Sequence, residues 1–162
     1  MSKKRVLIFA SCFLVLISIV VLAILNYENL ERDKLYESII QLIQKYDRGE
    51  SKCIDLGNID LINWDKVYIF GPYSYPEDID ARLGTYWRGS RFSQIKYSDA
   101  ITLLVFVDKG RVRQYVEFYK GDGDFSGNKT GLFFSKNEAK FKKNDLGEIS
   151  QKYCDNDDCC NE

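Results

Sequence analysis

The sequence predicts an α+β chain: an N-terminal transmembrane helix, then a small antiparallel sheet carried with an amphipathic helix and two short helices. Three observations predict it. Residues 6–25 hold no charge, Gly or Pro; a charged stretch follows in which apolar residues recur at helical spacing; and beyond it β-branched runs alternate with Gly-, Pro- and Asp-containing turns. The 162 residues are 45% apolar and 29% charged, with only 2 Pro and 11 Gly, a composition that excludes collagen-like and disordered classes and suits one folded domain.

At about 1.5 Å per residue, the run from Val6 to Leu25 spans about 30 Å of hydrocarbon, one crossing. Lys3, Lys4 and Arg5 precede it, whereas Glu28, Glu31, Arg32, Asp33 and Lys34 follow without a positive excess. The positive-inside bias therefore predicts a cytoplasmic N-terminus and an extracytoplasmic C-terminal part, with Tyr27 at the interface. Residues 1–25 read as a signal anchor, 26–153 as the domain and 154–162 as an acidic, Cys-rich tail. A cleaved secretory signal is the competing reading. It is disfavoured because its apolar region is usually about 7–15 residues and ends at small residues, whereas here Ile24 and Leu25 follow Val21-Leu22-Ala23. Lipidation at Cys12 would leave most of the apolar run behind the cysteine, so Cys12 reads as a small apolar residue of the helix.

Leu30, Leu35, Ile39, Leu42, Ile43 and Tyr46 predict an amphipathic helix over about 28–47, ended by Gly49 in a left-handed conformation. No Pro or Gly separates it from Leu25, so the membrane helix is expected to run straight into it. Residues 54–62 suggest an edge strand with a turn at Gly57-Asn58. Trp64 to Phe70 is dense in β-formers and is stopped by Gly71-Pro72. Ser74-Tyr75-Pro76-Glu77 reads as a capping box opening a short helix that ends at Gly84. The continuous apolar run Ile101 to Val107 predicts a buried strand. Asp108-Lys109-Gly110 turns it into a hairpin partner over 111–120, with Val112, Val116 and Phe118 on one face and Arg113, Glu117 and Tyr119 on the other. After a loop at 121–131 and a short strand at 132–134, Ser135-Lys136-Asn137-Glu138 reads as a second capping box opening a short helix through Phe141.

Charge and composition remove several functions. The chain holds 23 Lys plus Arg against 24 Asp plus Glu, and no stretch is basic enough to gather nucleic acid. Past residue 25 the counts are 20 and 24, and Asp155, Asp157, Asp158 and Glu162 account for the whole acidic excess. There is no His, hence no Ser-His or Cys-His dyad and none of the commonest metal ligand. No cofactor is implied.

Four cysteines lie beyond the apolar run: Cys53, Cys154, Cys159 and Cys160. In an oxidising compartment they allow two disulfides, with free thiols as the alternative, and the strain of bridging the neighbours Cys159 and Cys160 favours sets that join Cys53 to the tail. A soft-metal site in the tail is disfavoured because C-x4-C-C lacks a second ligand pair.

Three further clusters deserve weighing for chemistry. Asp122, Asp124 and Ser126, followed by Gly127, match the start of a calcium loop, but Phe133 stands where a bidentate Glu belongs, so a polar loop is preferred. Glu77, Asp78 and Asp80 resemble paired carboxylates, yet acids early in a helix simply complement its dipole. Tyr86, Trp87, Arg88 and Arg91, with Tyr73 and Tyr75 expected nearby, have the composition of an interface hot spot; the competing reading puts Trp87 and Phe92 in the core and the arginines in solvent.

WDKVYIFGPY at 64–73, IDARLG at 79–84 and SDAITLLVFVDKGRVRQYVEF at 98–118 followed by GDGDFSG resemble a family of small, functionally uncharacterised bacterial membrane-anchored proteins and lipoproteins. The resemblance covers about 55–141. It implies a bacterial envelope location and carries no reaction. Together these readings predict a non-enzymatic, single-pass module of the cytoplasmic membrane whose extracytoplasmic domain binds a protein or envelope component or plays a structural part. The alternatives are an immunity or inhibitor protein against a toxin or lytic enzyme, and an enzyme that works through carboxylate, Tyr or Cys.

Overall fold

One unbroken helix and the alternation of side chains across one sheet organise the molecule, for which a computed structural model describes residues 3–154 and 159–160. Helix α1 runs from Lys3 to Asp47, 45 residues or roughly 68 Å. Its N-terminal part is long and apolar enough to cross a membrane. The same helix then enters the domain without a linker: Leu35, Ile39 and Ile43 are buried in its core. Leu30, expected on that stripe, is 51% exposed. It stands two residues from Arg32, which faces the sheet, and so lies on the far side of the helix. At the C-terminus the Gly49 N–H donates to the Tyr46 carbonyl and the Glu50 N–H to the Lys45 carbonyl, both at 2.9 Å, the paired bonds of a Schellman end.

The main sheet is antiparallel, with strand order β4-β3-β2-β5, built from β2 (Lys66–Phe70), β3 (Ile101–Asp108), β4 (Arg111–Tyr119) and β5 (Leu132–Ser135). β3 is buried from Ile101 to Val107 because both faces are covered, which explains its unbroken apolar sequence. The β3–β4 turn places Lys109 and Gly110 at φ 51° and 76°, the two positive values that a type I′ hairpin requires. One register detail departs from simple alternation. Phe106 pairs with Gln114 and Val107 with Val112, so Arg113 is an extra, bulged residue. The bulge reverses the facing of what precedes it: Val112 packs with Val105 and Val107, not with Val116 and Phe118 as alternation alone predicts.

A second sheet, not anticipated from sequence, has the order β1-β6-β7, from β1 (Ile54–Asp55), β6 (Lys140–Lys143) and β7 (Ile149–Ser150). β1 is an edge strand but far shorter than 54–62. The Asp55 carboxylate accepts the Gly57 N–H at 2.8 Å and turns the chain into a 3-10 turn over Leu56–Asn58. The helix expected through Phe141 is instead a turn followed by β6. The Ser135 hydroxyl does donate to the Glu138 carboxylate at 2.6 Å, holding that acid below its usual range, and the Glu138 and Ala139 N–H groups bond the Ser135 carbonyl. These bonds close a single turn. Beyond it Lys140, Phe141 and Lys142 alternate, and only a strand buries Phe141 while leaving both lysines outside the core.

α1 and the second sheet cover one face of the main sheet. Phe118, Phe125, Phe141 and Phe134 follow one another edge to face with centroid separations of 5.5, 5.8 and 5.1 Å, and Trp64 meets Phe106 at 5.2 Å. The opposite face is covered by α2 (Pro76–Leu83) and by 3-10 turns at Arg88–Arg91 and Ile95–Tyr97, over Phe70, Ile79, Ile95, Leu103 and Val105.

Two disulfides fasten the tail. Cys53 pairs with Cys160, 107 residues away, and Cys154 with Cys159, with Cα separations of 5.1 and 4.8 Å. Cys53 is thus joined to the tail and the neighbours Cys159 and Cys160 are not joined to each other. The acidic residues Asp155, Asp157, Asp158 and Glu162 lie outside the described residues.

Candidate functional site

The aromatic and arginine segment after α2 is held by one carboxylate. Asp80 accepts the Trp87 N–H at 3.0 Å and the Ser90 hydroxyl at 3.3 Å, and pairs with the Arg91 guanidinium. Sequence reasoning assigned Asp80 to the helix dipole with Glu77 and Asp78. Those two do lie in the first turn of α2, but Asp80 is the acceptor that folds the next segment back onto the helix. Glycine is required at position 89, where a Cβ would fall 2.3 Å from the Trp87 ring.

From Trp87 a ladder of contacts crosses to the long helix. Trp87 meets Tyr115 edge to face at 5.0 Å; Arg32 sits 5.3 Å from the Tyr115 ring centroid and its Nη1 donates to the Tyr115 hydroxyl at 3.0 Å. Arg91 lies 4.3 Å from the centroid of Tyr86, and Arg88 5.5 Å from that of Phe92. These cation–π contacts leave the rings open on the outside: Tyr86 is 70% and Phe92 65% exposed. Trp87 is half-buried against the thinner core, as the competing reading expects, whereas Phe92 is not a core residue.

Beside this segment lies a cleft of about 430 Å³ between α1 and β4, lined by Arg32, Tyr36, Phe92, Tyr115, Glu117 and Tyr119 among others. Tyr36 packs on Phe118 at 4.8 Å and donates its hydroxyl to Asp122. Partial burial, reinforced by the Asp122 carboxylate, pushes the Tyr36 phenol well above its ordinary value, so it is a donor at every physiological pH. Glu117 accepts the Gln94 N–H at 2.8 Å.

Tyr73 and Tyr75 lie at the start of α2, whereas Tyr86 to Arg91 follow its end. Both are exposed. Tyr73 adopts φ 62°, uncommon for a bulky residue, while its N–H donates to the Ile95 carbonyl at 2.9 Å. Tyr75 is the cap residue and makes no side-chain cap bond. The capping box expected of Ser74 and Glu77 does not form, because the Ser74 hydroxyl is buried and donates to the Gly71 carbonyl at 2.7 Å.

The calcium-like loop is a turn held by protein donors. The Asp124 carboxylate accepts the Ser126 N–H at 2.8 Å and Asp122 is taken by Tyr36. Among the described residues no three His, Cys, Asp or Glu side chains gather as a metal site. Sequence reasoning missed Arg32, Tyr36 and Tyr115. The alternation that turns Tyr115 to the side of the sheet opposite Val116 and Phe118 was readable, but nothing local in the sequence pairs it with a helix 83 residues earlier. Compared with family models, with curated proteins and with solved structures, the chain has no match.

Proposed function

We propose that the protein is a membrane-anchored module of the bacterial cell envelope whose extracytoplasmic domain binds a protein partner through the surface formed by Tyr86, Arg88, Phe92 and the adjoining cleft. The continuity of α1 carries this reading: one helix is apolar enough to span a bilayer and also supplies Leu35, Ile39 and Ile43 to the core, so the surface is held at a fixed height rather than on a flexible tether. The two disulfides fit an oxidising compartment, and the positive flank of the apolar run favours an outward-facing domain. Rings exposed but fixed by arginines suit an anchor for a partner, because little side-chain freedom is left to lose on binding.

Photo-cross-linking in the native membrane tests the proposal. A photoreactive residue at Tyr86 or Phe92 should give a discrete adduct, and one at Leu146, 88% exposed on the remote turn, should give none. Equal adducts at all three sites, or none at Phe92 and Tyr86, would defeat it. One dominant adduct with a lytic enzyme would redefine the module as an inhibitor.

A further inference from the structure

The contacts between α1 and β4 fix how the domain stands on its helix. The Gln114 amide donates to the Glu28 carbonyl at 3.2 Å, Tyr115 meets Arg32, Phe118 meets Tyr36, and a Cβ on Gly123 would touch Ile43. At the far end Lys143 pairs with Asp47 at 2.6 Å. The order is monotonic, so β4 runs alongside α1 in the same direction. The spacing agrees: four strand residues from 114 to 118 cover about 13 Å and eight helix residues from 28 to 36 about 12 Å. The β3–β4 hairpin therefore points back toward the apolar run.

Extending β4 backwards from Gln114 through the bulge to the turn at Lys109-Gly110 covers about 10 Å. Glu28 is three residues past Leu25, about 4–5 Å above the end of the apolar run. The hairpin tip thus comes down to the level of the last apolar turn of α1, where the headgroup layer, about 5–7 Å thick on each side, meets the hydrocarbon. Lys109, Arg111 and Arg113 project from this tip and are exposed. Among the described residues none of the three has an ion pair, whereas Arg48 and Arg91 are paired with carboxylates. The acids beside the tip are Asp65, whose carboxylate accepts the Lys109 N–H at 3.0 Å, and Asp108, opposite Arg111; the tip keeps a net positive charge.

We infer that the β3–β4 hairpin docks on the bilayer that holds α1, with Arg111, Arg113 and Lys109 on the phosphates of the lipid headgroups. This rests on the membrane-anchor reading above. The occupant follows from charge and height: free cations meet the one anionic layer that the anchor brings to them. Guanidinium groups bind phosphate in bidentate fashion, and each basic residue gains further near anionic lipid. Such a foot would fix the tilt of the domain and so the direction in which Tyr86 and Phe92 face.

The test uses the full chain in vesicles of phosphatidylcholine and phosphatidylglycerol. With a paramagnetic headgroup label, the Gly110 amide should lose its signal while that of Gly147, on the turn after β6, keeps it; an unaffected Gly110 overturns the proposal. Dipolar dephasing of arginine Cζ by lipid phosphorus should fall in the R111Q/R113Q variant, leaving the contribution of Arg5. Dephasing equal in variant and wild type overturns the phosphate contact even if the tip is near the surface. Protein that stays in carbonate-washed vesicles while failing either measurement refutes the docking alone; protein washed out refutes the anchor as well.

Discussion

The two faces of the main sheet are built from the same strands but closed in different ways. The face under α1 is sealed by phenylalanines in edge-to-face contact, by a second sheet and by a disulfide that ties residue 53 to residue 160. The face under α2 has a smaller apolar layer, closed at its margin by Trp87 and Tyr115 and by an Asp80–Arg91 pair. The first is a core in the ordinary sense, and its energy comes from apolar area and packing. The second leaves aromatic rings half covered, with cations fixing their orientation. What differs is what each face is free to do: the sealed face joins the domain to its helix, and the thin face supplies the exposed rings.

If that comparison holds, the thin face must still be a true core beneath its margin. Val105 is fully buried on that side. Val105→Asp should abolish cooperative unfolding of the domain, since an unpaired buried carboxylate costs several kcal/mol, comparable with total stability. A melting curve like that of the wild type would break the comparison by showing that water reaches this layer. On the sealed face Phe118→Ala should cost about 3–5 kcal/mol through lost area and a cavity that the neighbouring rings cannot fill. Denaturant midpoints of the full chain in detergent measure it.

Next in size is the staple. Opening Cys53–Cys160 releases a loop of 107 residues, for which the chain-entropy account gives up to about 4–5 kcal/mol, lowered by residual structure in the unfolded chain. Cys53→Ala combined with Cys160→Ala should lower the midpoint of unfolding, and reduction, which also opens Cys154–Cys159, should lower it at least as far. No change would mean that the sealed face owes its closure to packing alone.

These contrasts also explain what the sequence could reveal. β3 and the hairpin were legible because a double-sided strand needs an unbroken apolar run and a two-residue turn with positive φ favours a glycine such as Gly110. Helix α1 and its Gly49 end were legible for the same kind of local reason. The second sheet was not, because β1 and β7 are two residues each, too short for periodicity, and exist only through their pairing with β6. The misread of Ser135 to Phe141 is instructive: the Ser135–Glu138 bond formed as local chemistry dictates, but the burial of Phe141 decided what came next. Within the candidate site, the residue types at 86–91 were visible, whereas the acceptor that shapes them, Asp80, carried only the look of an ordinary helical acid.

Asp80 gives the sharper test of the thin face. Asp80→Ala removes the acceptor for the Trp87 N–H and the Ser90 hydroxyl and the partner of Arg91. The expected cost is about 1–3 kcal/mol, less than that of Phe118→Ala, because the segment borders solvent. Amide exchange should rise at 86–91 and stay unchanged along α1. If exchange rises equally on both faces, the two are one cooperative layer and the distinction fails.

The smallest effect concerns the seam where the faces meet α1. The Tyr36 phenol is held above its ordinary value near 10.0, first by burial and then by Asp122, so the folded state favours its protonated form. The stability this contributes is complete below pH 10 and is lost as pH rises from there toward the folded value, because the unfolded chain gives up the proton first. Tyr36→Phe removes both the bond and the titration. At pH 7 the variant should be less stable by at most about 1 kcal/mol, since Asp122 is exposed and water replaces the hydroxyl as its donor. Above pH 10 the other tyrosines titrate in both proteins, so the informative quantity is the difference in unfolding midpoint between them. That difference should shrink as pH is raised from 10; one that stays constant or widens would mean that Tyr36 is packed at the seam without its proton mattering.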